Sequence, residues 1–303
     1  MTEPMLASPS SKIAPTPDEA LGALTRTGQW AFELKLDGIR CIARVQAGVV
    51  TLTSRALNDM TYRYPEIVQQ LAGQFADLDV TLDGEIIVCG EDGRPDFAAV
   101  HRRDAQGSAA TAARAAKATP ATFVVFDWLE HADQPYTWRR QQMDTVLAPR
   151  LVGPHLSLNA SHEEGEAMWR FALEHQLEGL MAKRRSSRYR GGRSTDWVKL
   201  KPRRRISALV SEVIKGDGRR ADSFGALALS LIGPDSRLVA IGRVGSGFSQ
   251  SDLVAISRAV TQGPLIVDVE FMELSPAGQL RHPVYMGIRR DVSILDCTVD
   301  QLQ

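Results

Sequence analysis

The segment ELKLDGIR at 33–40 holds a lysine, Lys35, two residues before an Asp-Gly pair. The alternating residues before it predict a strand, which would present the Lys35 amine at a fixed edge of a sheet. Because free lysine has a pKa of about 10.4, an amine nucleophile at neutral pH must lose its proton through burial or cationic neighbours. Arg40, Lys199 and Lys201 are candidate neighbours. The alternative is a surface lysine before a tight turn.

Acidic residues in two further segments are candidates for binding a ribose or a metal ion. Asp83 and Glu85 lie in LDGEIIV at 82–88, and Glu178 begins EGLMAKR at 178–184 beside an apolar strand. Mg²⁺ usually takes one or two carboxylates together with substrate phosphates, so Glu178 suits a magnesium site. The alternative for Asp83 and Glu85 is a turn that starts a buried strand.

Lys199 and Lys201 alternate with Val198 and Leu200, so both amines face one side of a predicted strand. Two like charges on one face repel each other, and a bound polyphosphate would remove that repulsion. Phe126, in VVFDWL, is either a core aromatic or a plate on which a base stacks.

Other catalytic patterns are missing from the sequence. The six histidines show no metal-ligand spacing, and neither HExxH nor GxSxG occurs. The three cysteines, Cys41, Cys89 and Cys297, lie far apart, which argues against a zinc finger or a disulfide framework and favours a reducing cytoplasm. Apolar runs such as FVVF at 123–126 are far shorter than the ~20 residues of a membrane span.

Charge is balanced over the chain but not along it. Lys plus Arg and Asp plus Glu both number 36, whereas residues 183–205 hold eleven basic residues against one acid, Asp196. So dense a run repels itself unless phosphates or carboxylates neutralise it, which favours a nucleic-acid contact. The alternative is a solvated basic face.

Hydrophobic periodicity predicts the elements that must position these residues. Strands are predicted at 30–36, 39–45 and 49–54 as a meander, at 80–95 as a pair closed by Asp92-Gly93, and at 122–129, 177–184 and 196–202. Helices are predicted at 64–75 and at 161–176, the second from a Ser161/Glu164 capping box; residues 1–20 are predicted to be extended, and 105–121 fits either a helix or a loop.

The length of 303 residues predicts two domains at ~100–200 residues each. Pro202 and the arginines after it mark the predicted boundary, with domains at 1–203 and 204–303. In the second, strands are predicted at 206–214, 224–232, 237–244, 264–274 and 283–289, and a helix at 249–262. Five strands and a helix favour a small closed or partly open barrel of the OB type, although other small β-domains fit almost as well.

The motifs occur in a recognisable order, which is Lys35-x-Asp37-Gly38-x-Arg40, Ser54-Arg55, Asp83-Gly84-Glu85, Phe126-Asp127, Glu178-Gly179 and Lys199-x-Lys201. This series closely resembles the nucleotidyltransferase motifs of ATP-dependent DNA ligases, RNA ligases and mRNA capping enzymes. Segments at 4–9, 187–201, 224–231, 242–249 and 280–291 resemble the bacterial ligase C and ligase D group, and we expect the stand-alone ligase C type.

The resemblance covers nearly the whole chain and implies an α+β fold. A nucleotidyltransferase (adenylation) domain of antiparallel sheets flanked by helices would be followed by a small OB-fold β-barrel domain. The implied activity is ATP-dependent sealing of nicks in duplex DNA, in DNA repair, through a lysyl-AMP intermediate and a DNA-adenylate. The implied partner is nicked duplex DNA, with no membrane association, and we expect a cytoplasmic monomer.

The resemblance also implies a role for each motif residue. Lys35 would attack the α-phosphate of ATP, expel pyrophosphate and hold AMP as a phosphoramidate. Glu33 would read the adenine amino group, and Phe126 would stack on the base. Glu85 would hold the ribose and contribute to the metal site.

The remaining motif residues would handle phosphates and metal. Arg40 and Arg55 would contact the nucleotide and later the 5′-phosphate of the nick. Lys199 and Lys201 would engage the α-phosphate, and Glu178 would bind Mg²⁺ or Mn²⁺.

The second domain would close over ATP through Arg281, Arg289 and Asp291 and orient the leaving group. The family commonly has a lysine after that aspartate, whereas this chain has Val292. The departure concerns the step in which ATP loads the lysine and leaves the later steps untouched.

Two rival functions share parts of this pattern. An RNA ligase or a GTP-using capping enzyme has the same lysine motif, and labelled ATP or GTP with nicked DNA or RNA separates them. A non-catalytic DNA-binding scaffold would carry a decayed core, yet Lys35, Glu85, Glu178, Lys199 and Lys201 are all present.

Binding to duplex DNA should weaken steeply with salt, because each neutralised phosphate releases counterions. We expect a log-log slope of roughly −0.9 per phosphate contacted, measured by titration of a nicked duplex at several salt concentrations. A flat salt response would contradict a clamp made of backbone contacts.

Overall fold

The structure, a computed structural model, describes residues 3–216, 224–275 and 277–302. It divides into two compact units, Met1–Lys201 and Pro202–Gln303. The strands of the first unit are β1 (Met5–Pro9), β2 (Trp30–Leu34), β3 (Ile39–Gln46), β4 (Val49–Ser54), β5 (Val80–Ile87), β6 (Thr122–Trp128), β7 (Leu156–Leu158), β8 (Ser161–His162), β9 (Leu180–Arg184) and β10 (Gly192–Leu200). Its helices are α1 (Pro17–Arg26), α2 (Pro65–Gln74), α3 (Phe97–Asp104), α4 (Ala109–Ala118), α5 (Tyr136–Gln142) and α6 (Gly165–Glu174).

Two five-stranded sheets form the first unit. Sheet 1 has the order β1-β10-β9-β2-β8 and sheet 2 the order β4-β3-β5-β6-β7. Most pairs are antiparallel, as predicted, but β1 with β10 and β6 with β7 are parallel. Parallel pairing needs a long connection, and the segment between β6 and β7, which includes α5, is long enough.

The predicted meander over 30–54 is wrong, because its first strand belongs to another sheet. β2 pairs with β8 and β9 in sheet 1, whereas β3 and β4 pair in sheet 2. The chain crosses between the sheets at residues 35–38. A Cβ on Gly38 would collide with the carbonyl oxygen of Ile86 and lie 2.9 Å from Glu85 Cγ. Only glycine permits the chain to pass so close to β5, and Lys35 lies on this crossing segment.

Strand β6 contains a bulge at Phe126. Asp83 pairs with Asp127 and Gly84 with Val125, so Phe126 has no partner on β5. One extra residue reverses the alternation of side chains along a strand. Val125 and Trp128, three positions apart, therefore both pack in the core of sheet 2, whereas Phe126 joins a separate cluster with Trp197.

Helices cover the outer faces of the two sheets. Those of sheet 2 pack on a large core with Tyr64, Phe75 and Phe123 at its centre, and α1 and α6 pack on sheet 1 around Phe32 and Trp169.

Three local predictions change in the structure. Residues 1–20 were predicted to be extended, but α1 begins at Pro17, with a capping box between Thr16 and Glu19. α6 begins at Gly165 and not at 161, because Ser161-His162 pairs with β2 as a strand. The open segment 105–121 contains α4, which Ser108 caps. Of the predicted pair at 80–95, the second strand is reduced to a bridge between Cys89 and Pro95.

The second unit contains β11 (Arg204–Lys215), β12 (Phe224–Ile232), β13 (Leu238–Val244), β14 (Ile266–Phe271), β15 (Glu273–Leu274), β16 (Leu280–Arg281), β17 (Val284–Arg289) and α7 (Gln250–Ala259). The predicted strands and helix are confirmed, with the order β13-β12-β11-β14-β17. Over 224–275 and 277–302 no ladder joins β13 to β17, so the sheet is open. The chain leaves strand conformation after β13, where Gly247 has φ +92°, and a single bond from Tyr285 N to Ser246 O remains.

No helix in the described part of the chain is long and apolar enough to cross a membrane.

Gly84→Ala should destabilise the first unit by about 1–3 kcal/mol, because the added Cβ would lie 2.6 Å from the carbonyl oxygen of Val124 and force β5 and β6 apart. Chemical unfolding measures the loss. Gly73→Ala is the matched control, because that exposed helical glycine has nothing within 4 Å of its Cβ position, and alanine should stabilise the helix by about 0.5–1 kcal/mol. Equal effects of the two substitutions would contradict the close packing.

Candidate active site

A pocket in the first unit is lined by side chains of both sheets. Its lining residues are Leu6, Ala7, Glu33, Leu34, Lys35, Leu36, Arg40, Arg55, Glu85, Phe126, Asn159, Met181, Lys183, Arg193, Trp197 and Lys199. Seven of the residues predicted from the motifs are among them: Glu33, Lys35, Arg40, Arg55, Glu85, Phe126 and Lys199. Six lining side chains are basic and two are acidic, so the pocket favours an anionic ligand.

Lys35 lies just beyond β2, and its backbone N–H donates to the carbonyl oxygen of Gly179 over 2.9 Å. This bond fixes the lysine beside the start of β9, where Glu178 stands. Lys35 Nζ lies 2.5 Å from Glu178 Oε2, and Lys201 Nζ lies 2.6 Å from Glu178 Oε1. One carboxylate therefore holds two amines, from distant parts of the chain, in one place.

Lys199 adds a third amine to this group. Burial lowers the pKa of Lys199, and the nearby charges of Lys201, Lys35 and Arg193 lower it further. It makes no ion pair among the residues that the structure describes, whereas Glu178 is shared by the other two lysines. The excess of positive charge is what a bound phosphate group would neutralise.

Arg40 is held rigidly beside the pocket. Its Nε and NH2 donate to the two carboxylate oxygens of Asp83 over 2.7 and 2.5 Å, and NH2 also donates to Met5 O over 3.0 Å. The Tyr189 hydroxyl donates to the same carboxylate over 2.6 Å. The guanidinium lies 4.9 Å from the centre of the Phe126 ring. Within residues 3–216, 224–275 and 277–302, NH1 is the one guanidinium nitrogen of Arg40 without a hydrogen-bond partner, so Arg40 can offer a ligand one directed pair of donors.

Glu85 lies directly opposite Arg40 on the neighbouring strand. Burial raises the pKa of Glu85 to about 8; Arg40 and Lys35 oppose the rise, and Glu178 adds to it. Burial and the Glu178 carboxylate thus make Glu85 costly to ionise, a cost that a bound cation would lower.

The donor set fits Mg²⁺ only in part. Among the described residues no group of three or more His, Cys, Asp or Glu could hold a metal ion. Two carboxylates, Glu178 and Glu85, suit an ion that is held chiefly by a polyphosphate.

Glu33 and Phe126, predicted to meet the base, are both buried, at 1% and 9% exposure. Glu33 forms an ion pair with Lys183, at 2.8 Å, below the Phe126 and Trp197 rings. Arg55 is exposed at the end of β4 and lines the pocket without an ion pair among the described residues.

Arg289 and Asp291 belong to the second unit, where they pair with each other at 2.8 Å. The Arg289 guanidinium lowers the pKa of Asp291 to about 2. Arg289 NH1 also donates to the buried carboxylate of Asp268 over 2.9 Å. Val292 packs against the core of this unit. Arg281 is exposed on β16.

Several basic residues of the stretch 183–205 are buried or ion-paired, so this stretch exposes fewer free charges than its sequence predicts. Lys183 is buried, and Arg184 and Arg185 pair with Asp196 and Glu163 at 3.0 and 2.7 Å. Arg188 and Arg190 are exposed and have no ion pair within the described ranges. The surface available to a nucleic-acid backbone is therefore centred on the loop between β9 and β10.

Sequence reasoning missed the buried polar residues behind the pocket: Asp83 as the partner of Arg40, and Lys183, Tyr136 and Asn159 as the partners of Glu33. One signal existed for Lys183. In its strand, Leu180 and Ala182 face the core of sheet 1. Because side chains alternate along a strand, Lys183 must face the opposite side, toward the pocket.

Comparison with known proteins agrees with this geometry. The family model for the ATP dependent DNA ligase domain matches residues 4–201. The multifunctional non-homologous end joining protein LigD of Pseudomonas aeruginosa is 31% identical over 295 residues, which cover 87% of this chain and 34% of that protein. A DNA ligase of Thermococcus onnurineus is 30% identical over 96% of this chain and 56% of its own length. The chain thus spans about a third to half of these relatives.

Among solved structures, the ligase domain of M. tuberculosis LigD matches 98% of both chains with 27% identity and a TM-score of 0.56.

Asp83→Asn should lower the free energy of unfolding by about 2–4 kcal/mol, because it breaks a bidentate pair whose carboxylate is fully buried. Urea unfolding measures the change. Asp77→Asn is the control: that carboxylate, 69% exposed, pairs with Arg150, and its loss should cost far less than that of Asp83 because solvent screens the pair. A loss at Asp83 as small as that at Asp77 would show that Arg40 does not depend on this anchor.

Proposed function

Because the chain belongs to the ATP-dependent DNA ligase domain family, which its match over residues 4–201 shows, we propose that it seals nicks in duplex DNA through AMP carried on Lys35. The observation that supports this most is the grouping of Lys35, Lys199 and Lys201 around the single carboxylate of Glu178. Nucleotidyl transfer depends on positioning and charge cancellation more than on proton chemistry, and this group supplies both.

In the first step, the unprotonated Lys35 amine attacks the α-phosphorus of ATP. A nitrogen–phosphorus bond forms, the bond to the bridging oxygen of pyrophosphate breaks, and pyrophosphate leaves with that oxygen. Lys199 and Lys201 cancel the charge on the α-phosphate.

The divalent ion, Mg²⁺ or Mn²⁺, would be held by Glu178 and Glu85 together with the phosphates. When bound, it supplies positive charge that stabilises the leaving pyrophosphate. Glu178 would then contact the ion in place of its amine partners, which would leave Lys35 free to react.

In the later steps AMP passes from Lys35 to the 5′-phosphate of the nick, and the 3′-hydroxyl displaces AMP to close the phosphodiester. Arg40 and Arg55 would first contact the nucleotide and would then hold the 5′-phosphate of the nick. We assign the adenylation chemistry to residues 1–203 and duplex contacts to both this domain and the OB-type domain at 204–303. In the second domain, Arg289 and Asp291 would act on the ATP-loading step.

We assign the sealing activity to DNA repair, because the curated relatives include proteins named for non-homologous end joining. The substrate is nicked duplex DNA, bound through its backbone without reading bases. Nothing in the geometry requires a second copy of the chain, and we propose that a monomer acts.

The decisive measurement is intact mass after incubation with ATP and Mg²⁺. The wild-type chain should gain one AMP, and Lys35→Ala should gain none and fail to seal a nick from ATP. Parallel incubations with GTP, and then with nicked RNA, separate a ligase for DNA from a capping enzyme or an RNA ligase.

Lys12→Ala is the matched control, because that lysine is exposed and lies outside the pocket, so its variant should still take one AMP. Survival of the adduct in Lys35→Ala would move the nucleophile to another residue. Absence of any adduct in the wild-type chain would favour a non-catalytic scaffold.

A further inference from the structure

We infer that Lys183 and Tyr136 determine which nucleotide base the site accepts, by leaving Glu33 a single free carboxylate oxygen. The inference rests on the proposed function, because it concerns the base of the nucleotide that Lys35 would receive. Both residues act through Glu33, so they are positioning residues for specificity.

Three internal donors surround the Glu33 carboxylate. Its Oε1 accepts from the Tyr136 hydroxyl over 2.6 Å and from Lys183 Nζ over 2.8 Å. Its Oε2 accepts from Asn159 Nδ2 over 3.2 Å. A carboxylate oxygen has about two acceptor positions, so Oε1 is filled and Oε2 keeps one open.

Lys183 is held on Oε1 more firmly than Tyr136, whose hydroxyl also lies 2.9 Å from Ser161 Oγ. Lys183 is 1% exposed, and its Nζ also donates to the carbonyl oxygen of Phe126 over 2.7 Å. That carbonyl belongs to the bulge residue of β6, which has no partner on β5. The ammonium lies 4.4 Å from the centre of the Trp197 ring and 5.1 Å from that of Tyr136. Because an ammonium only donates, and burial shields it from water, its hydrogen bond to Oε1 is costly to break.

The number of Glu33 carboxylate oxygens with an open acceptor position distinguishes adenine from guanine. Guanine presents two adjacent donors, N1–H and the 2-amino group, which match a carboxylate with both oxygens open. Adenine presents one amino group beside an acceptor nitrogen, which matches a carboxylate with one oxygen open. With Oε1 filled, a guanine in the same place would leave a buried donor unpaired and bring its O6 toward a negative charge. Such mismatches of buried polar groups discriminate strongly.

Two substitutions free Oε1 by different routes. Lys183→Met keeps the volume and removes both the hydrogen bond and the charge. Oε1 then gains an open acceptor position for one of the guanine donors, which relaxes the preference for adenine. Tyr136→Phe removes one donor from Oε1 and leaves the ion pair intact.

The experiment compares the rates of covalent adduct formation with α-labelled ATP and α-labelled GTP, each as kcat/KM in the presence of Mg²⁺. The ATP:GTP ratio should fall by about tenfold or more in Lys183→Met and by about threefold in Tyr136→Phe. A merely structural role would lower both rates together and leave the ratio unchanged.

Matched controls come from a second buried cation and a second buried tyrosine outside the pocket. Arg103, 1% exposed, pairs with Glu66 at 2.7 Å, and the Tyr64 hydroxyl contacts Asp104 at 3.3 Å. Arg103→Met and Tyr64→Phe should keep the wild-type ratio even where stability falls.

Folded Tyr136→Phe and Lys183→Met chains with the wild-type ratio would overturn the inference and leave the proposed function standing. If Lys183→Met does not fold, the ratio in Tyr136→Phe decides. A wild-type chain that takes neither ATP nor GTP would overturn the proposed function and this inference with it.

Discussion

Like-charge crowding at one carboxylate is the constraint on which the site depends. Glu178 holds Lys35 and Lys201 while Lys199 stands nearby with its pKa lowered by burial and by those amines. Folding therefore brings together cations that repel each other, and a single anion offsets them only in part. A sequence selected for stability alone would have no reason to keep this group. A bound ligand that carries phosphate would neutralise the excess positive charge.

The two sheets supply the opposite walls of this pocket, and the link between them carries Lys35. Residues 35–38 pass from β2 to β3, and the close approach of Gly38 to β5 brings Glu85 and Arg40 to the same edge. The hydrogen bond from Lys35 N to Gly179 O ties that link to β9. Motifs separated by more than a hundred residues become neighbours because each lies where a strand begins or ends.

The motifs and the periodicity predicted the types of most helices and strands and seven of the residues that line the pocket. Both signals can be read from short segments of the chain. They predicted strand pairing poorly: β2 was assigned to a meander with β3, although the two belong to different sheets. Register and sheet membership depend on contacts between distant segments, which periodicity does not encode. For the same reason the pairing of Lys183 with Glu33 was not predicted. The start of α6 was misplaced because a capping signal at Ser161 competed with tertiary pairing to β2.

The bulge at Phe126 divides β6 into two stretches of opposite phase. Before it, odd-numbered positions such as Phe123 and Val125 fill the core, and after it the even-numbered Trp128 does. Loss of the bulge residue would restore regular pairing and leave both halves of the strand on their present faces, because Asp83 already pairs with Asp127 and Gly84 with Val125. The pocket would nevertheless lose the Phe126 ring beside Trp197 and the carbonyl oxygen that accepts from Lys183. The extra residue therefore serves the pocket and is dispensable for the sheet.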